Sequence, residues 1–286
     1  MNRSVLSKWG TVPTTRRSIS DFGITALTYL IVIGSLTPLL WLASTALKTR
    51  ADAFAMPPKL FFEPTMDNFR KAFSSAAFTS GYLNSVIIAL STTFVALVLG
   101  VAAGYALSHP QRGLGRFMGR WIILARMAPA ISFAVPIFVF FGWLNLLNTR
   151  TGLVLIYLTI TLPFVTWLMI GFFKDLPPEL EESARLDGCS KVQALVLILL
   201  PAVKSGLSTC AIFAFIMSWN EFFYALIISG PRTRPVSVQI QGFISSAGTD
   251  WGGLAAAALL VALPVLLFTL FAQKGLLRGL TAGSLK

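Results

Sequence analysis

Six long apolar segments, each able to cross a lipid bilayer as a helix, govern what this chain can fold into. They run over residues 24–46, 84–108, 121–147, 152–173, 206–229 and 254–271. A hydrocarbon core of roughly 30 Å takes about 20 apolar helical residues per crossing. Backbone polar groups inside lipid must be bonded within their own segment, so each is expected to be a helix. Composition agrees: 55% of residues are hydrophobic, only 12% are charged, and mean hydropathy is +0.75, too little charge for a soluble surface. The expected fold is therefore all-α, a polytopic membrane protein of six transmembrane helices. A tail (1–23), a six-helix membrane domain (24–273) with a polar loop at 174–205, and a second tail (274–286) make up the chain.

The first segment follows a basic stretch (Arg3, Lys8, Arg16, Arg17) and superficially resembles a secretory signal, but its apolar run is too long for one and five more spans follow. It is expected to stay as a helix. Orientation follows Lys and Arg placement. With both termini inside, fourteen of the 23 basic residues fall on the inner side and eight on the outer, with Arg126 near the inner end of the third span. Basic residues scattered along membrane flanks, with no nucleic-acid module, also explain the net charge of +12.

Much chemistry is absent from the sequence. There is no phosphate-binding Gly-x-x-x-x-Gly-Lys-Ser/Thr loop, no serine nucleophile elbow and no metalloprotease motif. The only histidine, His109, has no metal-ligand company, and Cys189 and Cys210 fall in different environments, which argues against a disulfide or metal site. No catalytic residue, metal site or resident cofactor is expected.

Within the spans, Gly100 and Gly104 form a small-xxx-small pattern that lets helix backbones approach closely. Pro129, Pro136 and Pro163 can kink helices, and equally are tolerated where neighbours re-satisfy the backbone. The residues 48–82, rich in Pro and Phe, are expected to pack as short helices and turns on the outer face. Glu221, beside Asn220 in the fifth span, is the notable intramembrane charge. It either contacts a polar solute or holds helices together. Arg126 is near enough to the interface to snorkel. No internal repeat relates the two halves of the chain.

The loop at 174–205 is the most structured polar segment. Pro178 suits the first position of a new helix, Glu179, Glu181 and Glu182 crowd its first turn, and Gly188 can close its far end in the left-handed conformation. Ser190 and Gln193 form a capping box for a following helix that runs to Pro201. Helix, Gly turn and helix are expected on the inner side, with Ser183 and Ala184 leaving room for another surface. Local physics equally allows an interfacial helix that merely covers the bundle.

The run Glu182-Ser183-Ala184-Arg185-Leu186-Asp187-Gly188, then nine residues, then Ile198-Leu199-Leu200-Pro201, closely resembles the EAA loop of the membrane subunits of binding-protein-dependent ATP-binding-cassette importers. The pattern E-A-A-x-x-x-G, nine residues, I-x-L-P is matched except that Ser183 replaces the first Ala. Met66-Asp67-Asn68-Phe69, Ala103-Gly104-Tyr105-Ala106-Leu107, Ser218-Trp219-Asn220-Glu221-Phe222 and Gly279-Leu280-Thr281-Ala282-Gly283 are similar to the carbohydrate-uptake, maltose-permease-like branch.

The resemblance implies a multi-pass protein of a bacterial inner membrane with both termini cytoplasmic. It implies a second homologous permease subunit, two cytoplasmic ATPase subunits that bind ATP and Mg, and a periplasmic solute-binding protein. Residues Leu180, Glu182, Ser183, Ala184, Asp187, Gly188 and Pro201 would form the ATPase-coupling element. Glu182 would offer its carboxylate to the ATPase, Ser183 and Ala184 would allow tight seating, and Gly188 would set the angle to the next helix. Asn220, Glu221, Phe222 and Tyr224 are candidates for the solute pathway of a sugar, oligosaccharide, polyol or related solute. Trp143, Trp167, Phe222 and Tyr224 offer rings to a sugar face, or simply pack. A proton-coupled secondary transporter using Glu221 and a scaffold without transport are the competing classes. Neither needs a capped helix-turn-helix between spans four and five.

Overall fold

Helix α1 (Ile19–Ala46) is apolar on every side and exposed along most of its length. The structure is a computed structural model that describes residues 19–109, 117, 130–245 and 248–282. Along α1 the hydroxyls of Thr28, Ser35, Thr37 and Thr45 donate to the carbonyl four residues back, at 2.8 to 2.9 Å. Such local bonds let polar side chains sit in an apolar solvent. Only the last turns are covered: Ala46 packs on Ala255 and Ala256 of the final helix.

Residues 48–82 hold two short helices, α2 (Arg50–Ala53) and α3 (Asp67–Ser74), as the loop's composition suggested. Asn68 on α3 donates to the carbonyls of Ala46 and Lys48, at 2.9 and 2.8 Å, and so satisfies acceptors left over where α1 ends.

Helix α4 (Ala76–Ser108) begins eight residues before the expected start at 84. Ser75 caps it, its Oγ accepting from Phe78 N. Phe78 and Tyr82 then dock edge-on against Phe243 and Trp219, so tertiary packing extends the helix beyond its apolar run. The expected third span, 121–147, is only partly visible. Residues 121–129, with Arg126 and Pro129, lie outside the described residues. A 3₁₀ turn (Ala130–Phe133) leads into α5 (Ala134–Trp143), which ends four residues short of 147 because Asn145 turns left-handed (φ 54°). Pro136 falls in the first turn of α5, where its missing N–H breaks no bond.

Helix α6 (Arg150–Lys174) crosses α4 at the small-residue pattern. A Cβ at Gly100 would lie 2.6 Å from Val165 Cγ1, and one at Gly104 would lie 2.5 Å from Met169 Cβ. Only glycine permits this approach, and the pattern's packing role is borne out. At the other end of the pair, buried Asn84 donates to the Arg232 and Arg234 carbonyls at 3.1 and 3.2 Å and accepts from Arg150 Nε at 2.9 Å.

Then come α7 (Pro178–Leu186), α8 (Lys191–Ala202, π-wound over Ala194–Leu199) and α9 (Lys204–Trp219). Helices α8 and α9 meet at 84°. Gly206 sits where any side chain would strike the Phe172 ring, which holds the start of α9 against α6. The fifth span, expected as one helix over 206–229, is broken at Asn220–Phe222 and resumes as α10 (Phe223–Ile228). A short α11 (Val236–Gln239) and a two-residue antiparallel pairing of β1 (Ile244–Ser245) with β2 (Gly248–Thr249) precede α12 (Trp251–Ala282). That last helix runs beyond the expected end at 271 and through most of the expected tail at 274–286.

Among the described residues, α1, α4, α6 and α12 are each long and apolar enough to cross a membrane, and the bent α8–α9 pair meets the same test jointly. The molecule is a polytopic all-α membrane protein. Its core lies where α4, α6 and α9 meet, around Val165, Met169, Cys210 and Ala214.

Candidate functional site

The segment between α6 and α9 folds by the local signals in its sequence. Pro177 is extended (φ −60°, ψ 131°), Pro178 takes the first helical position, and Glu179 and Glu181 fill the first turn of α7. Gly188 is left-handed at φ +89°. Cys189 N donates to Ala184 O at 3.0 Å and Gly188 N to Arg185 O at 3.1 Å, bonds that close the helix end. Ser190 and Gln193 cap reciprocally: Gln193 N donates to Ser190 Oγ and Ser190 N to Gln193 Oε1.

Successive helical residues point about 100° apart, so one face of α7 meets the chain and the other meets the surroundings. Leu180, Glu182, Ser183, Leu186, Asp187 and Gly188 are exposed, Leu186 at 88%. Ala184 is 6% exposed, on a helix that packs against the π-wound part of α8. The sequence pairs Ser183 with Ala184 as room for a second surface; the structure separates them, Ser183 outward and Ala184 inward. Pro201 is exposed on the last turn of α8, just before the bend.

Glu181 is the residue that composition alone does not single out. Its Oε1 accepts from Tyr105 Oη at 2.6 Å and its Oε2 meets His109 Nε2 at 2.8 Å. His109 Nδ1 lies 2.9 Å from the Tyr105 carbonyl. The Tyr105 ring stands edge-on to Phe173 near the end of α6. One carboxylate thus ties α7 to the end of α4, 76 residues earlier in the chain. Burial disfavours the charged carboxylate. Hydrogen bonds from Tyr105 and His109, with the charges of His109 and Arg185, outweigh burial and hold Glu181 below the usual carboxylate range. A cleft of about 470 Å³ opens beside this cluster, lined by Tyr105, His109, Lys174, Glu181, Glu182 and Arg185, among others. The signal for it is weak: Tyr105 and His109 are spaced i, i+4 on one helix face, and nothing local names their partner.

Glu221 lies at the break in the fifth span. Its carboxylate accepts from Tyr224 N at 3.0 Å and Ala225 N at 3.1 Å, so it caps the restarted helix α10. Ser237 Oγ donates to its carbonyl at 2.8 Å. Tyr157 of α6 is close enough to interact electrostatically, although its hydroxyl does not reach hydrogen-bond geometry. Asn220 is exposed, Phe222 is half-buried, and Tyr224 is buried among Ile88, Leu153 and Ile156. The four candidate pathway residues are contiguous in space but present different faces.

An apolar helical bundle with a charged helix-turn-helix after α6 defines a polytopic membrane protein with a structured polar connection. The family described as binding-protein-dependent transport system inner membrane component matches residues 96–281, more than half of the chain. The chain belongs to that family, as a multi-pass inner-membrane permease subunit of a binding-protein-dependent ABC importer. It is 34% identical over 263 residues to the trehalose transport system permease protein SugB of Mycobacterium tuberculosis, covering 90% of this chain and 94% of that one. It is 33% identical over 259 residues to the sulfoquinovosyl glycerol transport system permease protein SmoH of Agrobacterium fabrum, covering 90% and 91%. Among solved structures, a chain of a bacterial ABC transporter involved in import of the acidic polysaccharide alginate shares the fold. The TM-score is 0.75 at 22% identity, covering 90% of this chain and 98% of that one.

Proposed function

We propose that this chain is one of two homologous permease subunits of an ATP-driven importer for a sugar, oligosaccharide, polyol or related solute. In this reading it has six spans, both termini cytoplasmic, and forms half of the translocation pathway. Helix α7 is its coupling helix. Two ATPase subunits bind ATP and Mg and engage α7 from the cytoplasm, and a periplasmic binding protein delivers the solute. Uptake of trehalose, sulfoquinovosyl glycerol and diacetylchitobiose is what the names of related permeases record, which supports the carbohydrate class.

One observation carries the coupling role: a helix started by Pro178 and closed at Gly188 presents Glu182, Ser183, Leu186 and Asp187 outward while Ala184 and Glu181 fasten it to the bundle. A rigid, braced helix with an exposed charged face suits transmission of force from a docked subunit. Glu182 offers a carboxylate to a basic or backbone donor, Ser183 keeps that face low, Gly188 fixes the sharp turn into α8, and Pro201 lies where α8 gives way to α9. Closure of the ATPase pair would move α7 and, through α8 and the 84° bend, α9. At the break above α9, Asn220, Glu221, Phe222 and Tyr224 line the solute pathway in this account.

A proton-coupled mechanism through Glu221 is disfavoured by its two backbone hydrogen bonds, which occupy the carboxylate in capping. Glu182→Lys should abolish retention of the ATPase subunits and ATP-dependent uptake. Full ATP-dependent uptake by that variant would refute the coupling role.

A further inference from the structure

We infer that Glu181 is a positioning residue that fixes the coupling helix α7 to the end of α4 through Tyr105 and His109, so that α4 moves with α7. This rests on the coupling role proposed for α7. The adjacent carboxylates divide the work: Glu182 is exposed, whereas Glu181 turns to the chain's own helix and is gripped at both oxygens. Chain connectivity joins α7 to α6 through Pro177 and to α8 through Gly188. Nothing in the sequence order joins it to α4. The Glu181 cluster supplies that third connection, and Tyr105 wedged against Phe173 ties the end of α6 into it.

The ring of His109 is held at both of its nitrogens. Nε2 faces the Glu181 carboxylate and Nδ1 faces the Tyr105 carbonyl, and both of these only accept. Ser108 Oγ also lies 3.4 Å from Nδ1, so both ring nitrogens have polar partners. The other charged groups around the cluster are Arg185 and Glu182 on α7 and Lys174 at the end of α6, with the Tyr105 hydroxyl on α4 itself.

The test uses the full importer, permease pair with ATPase subunits, with spin labels on Ala102→Cys and Leu186→Cys in a Cys189→Ser, Cys210→Ser background. Both labelled positions are exposed. The distance distribution between the labels is read without nucleotide and after trapping with ATP, Mg and vanadate. The clamp predicts a narrow distribution that trapping does not shift. Glu181→Gln should be broad and shift on trapping while still retaining the ATPase subunits. A Glu181→Gln distribution like the parent overturns the clamp. Loss of the ATPase subunits from Glu181→Gln also overturns it, since Glu181 would then belong to the docking face. The Glu182→Lys retention assay, run in parallel, reports separately on the coupling role itself.

Discussion

Gly104 of α4 and Met169 of α6 are packed so closely that a Cβ at position 104 would lie 2.5 Å from the Met169 Cβ. Backbone atoms of Ile170 and Met169 stand 3.3 Å from the same point, so the helices cannot accommodate a side chain by moving one flexible group. Gly104→Val should destabilise the solubilised protein by about 1–3 kcal/mol, as overpacking of a filled interface does. Gly171→Ala, on the open side of α6 with nothing within 4 Å, should leave the thermal midpoint unchanged or slightly raised. Thermal unfolding of the two variants side by side checks this.

Asn84 joins three segments by side-chain bonds and is 2% exposed. Asn84→Ala leaves the Arg232 and Arg234 carbonyls without their donor and Arg150 without its acceptor. The expected loss is about 1–3 kcal/mol, the cost of stranding buried polar groups. The variant should also become more sensitive to proteolysis between 229 and 236, the segment these bonds hold.

Glu221 separates two accounts of the fifth span. If its work is capping, Glu221→Gln keeps an acceptor oxygen and should retain transport, while Glu221→Ala should cost about 1 kcal/mol of stability. A proton carrier would instead lose transport in Glu221→Gln. Uptake and thermal stability of both variants decide between them.

Glu181 sets an acid limit. Its pKa is held below the ordinary carboxylate value, so its stabilising effect is fully present above the unfolded-state pKa of about 4.3. That effect is lost as pH falls through the lower folded-state value. The parent should lose thermal stability on acidification below about pH 4.3, and Glu181→Gln should show a flatter acid limb. Scans of thermal midpoint from pH 3.5 to 6 read the difference.

The sequence was most legible where a local rule decides the outcome. Apolar length located α1, α4, α6 and α12, Gly100 and Gly104 announced a close crossing, and Pro178, Gly188, Ser190 and Gln193 each adopt the capping geometry that their chemistry favours. What stayed hidden depends on distant residues. The break at Asn220–Phe222 interrupts a run that hydropathy reads as continuous, because Glu221 can cap a restarted helix there. The early start of α4 needs Trp219 and Phe243 as packing partners. The pairing of Tyr105 and His109 with Glu181 spans more than seventy residues, and only the folded chain brings the three together.

The central claim is that the exposed face of α7 docks on an ATPase subunit, and cross-linking tests it most directly. Leu186→Cys, at a site 88% exposed, in the Cys189→Ser, Cys210→Ser background, should join the ATPase subunit through a short thiol–amine cross-linker in the assembled importer. An equivalent cysteine at exposed Arg232, on the far end of the bundle, should give no such adduct. An adduct from position 232 and none from position 186 would contradict the account.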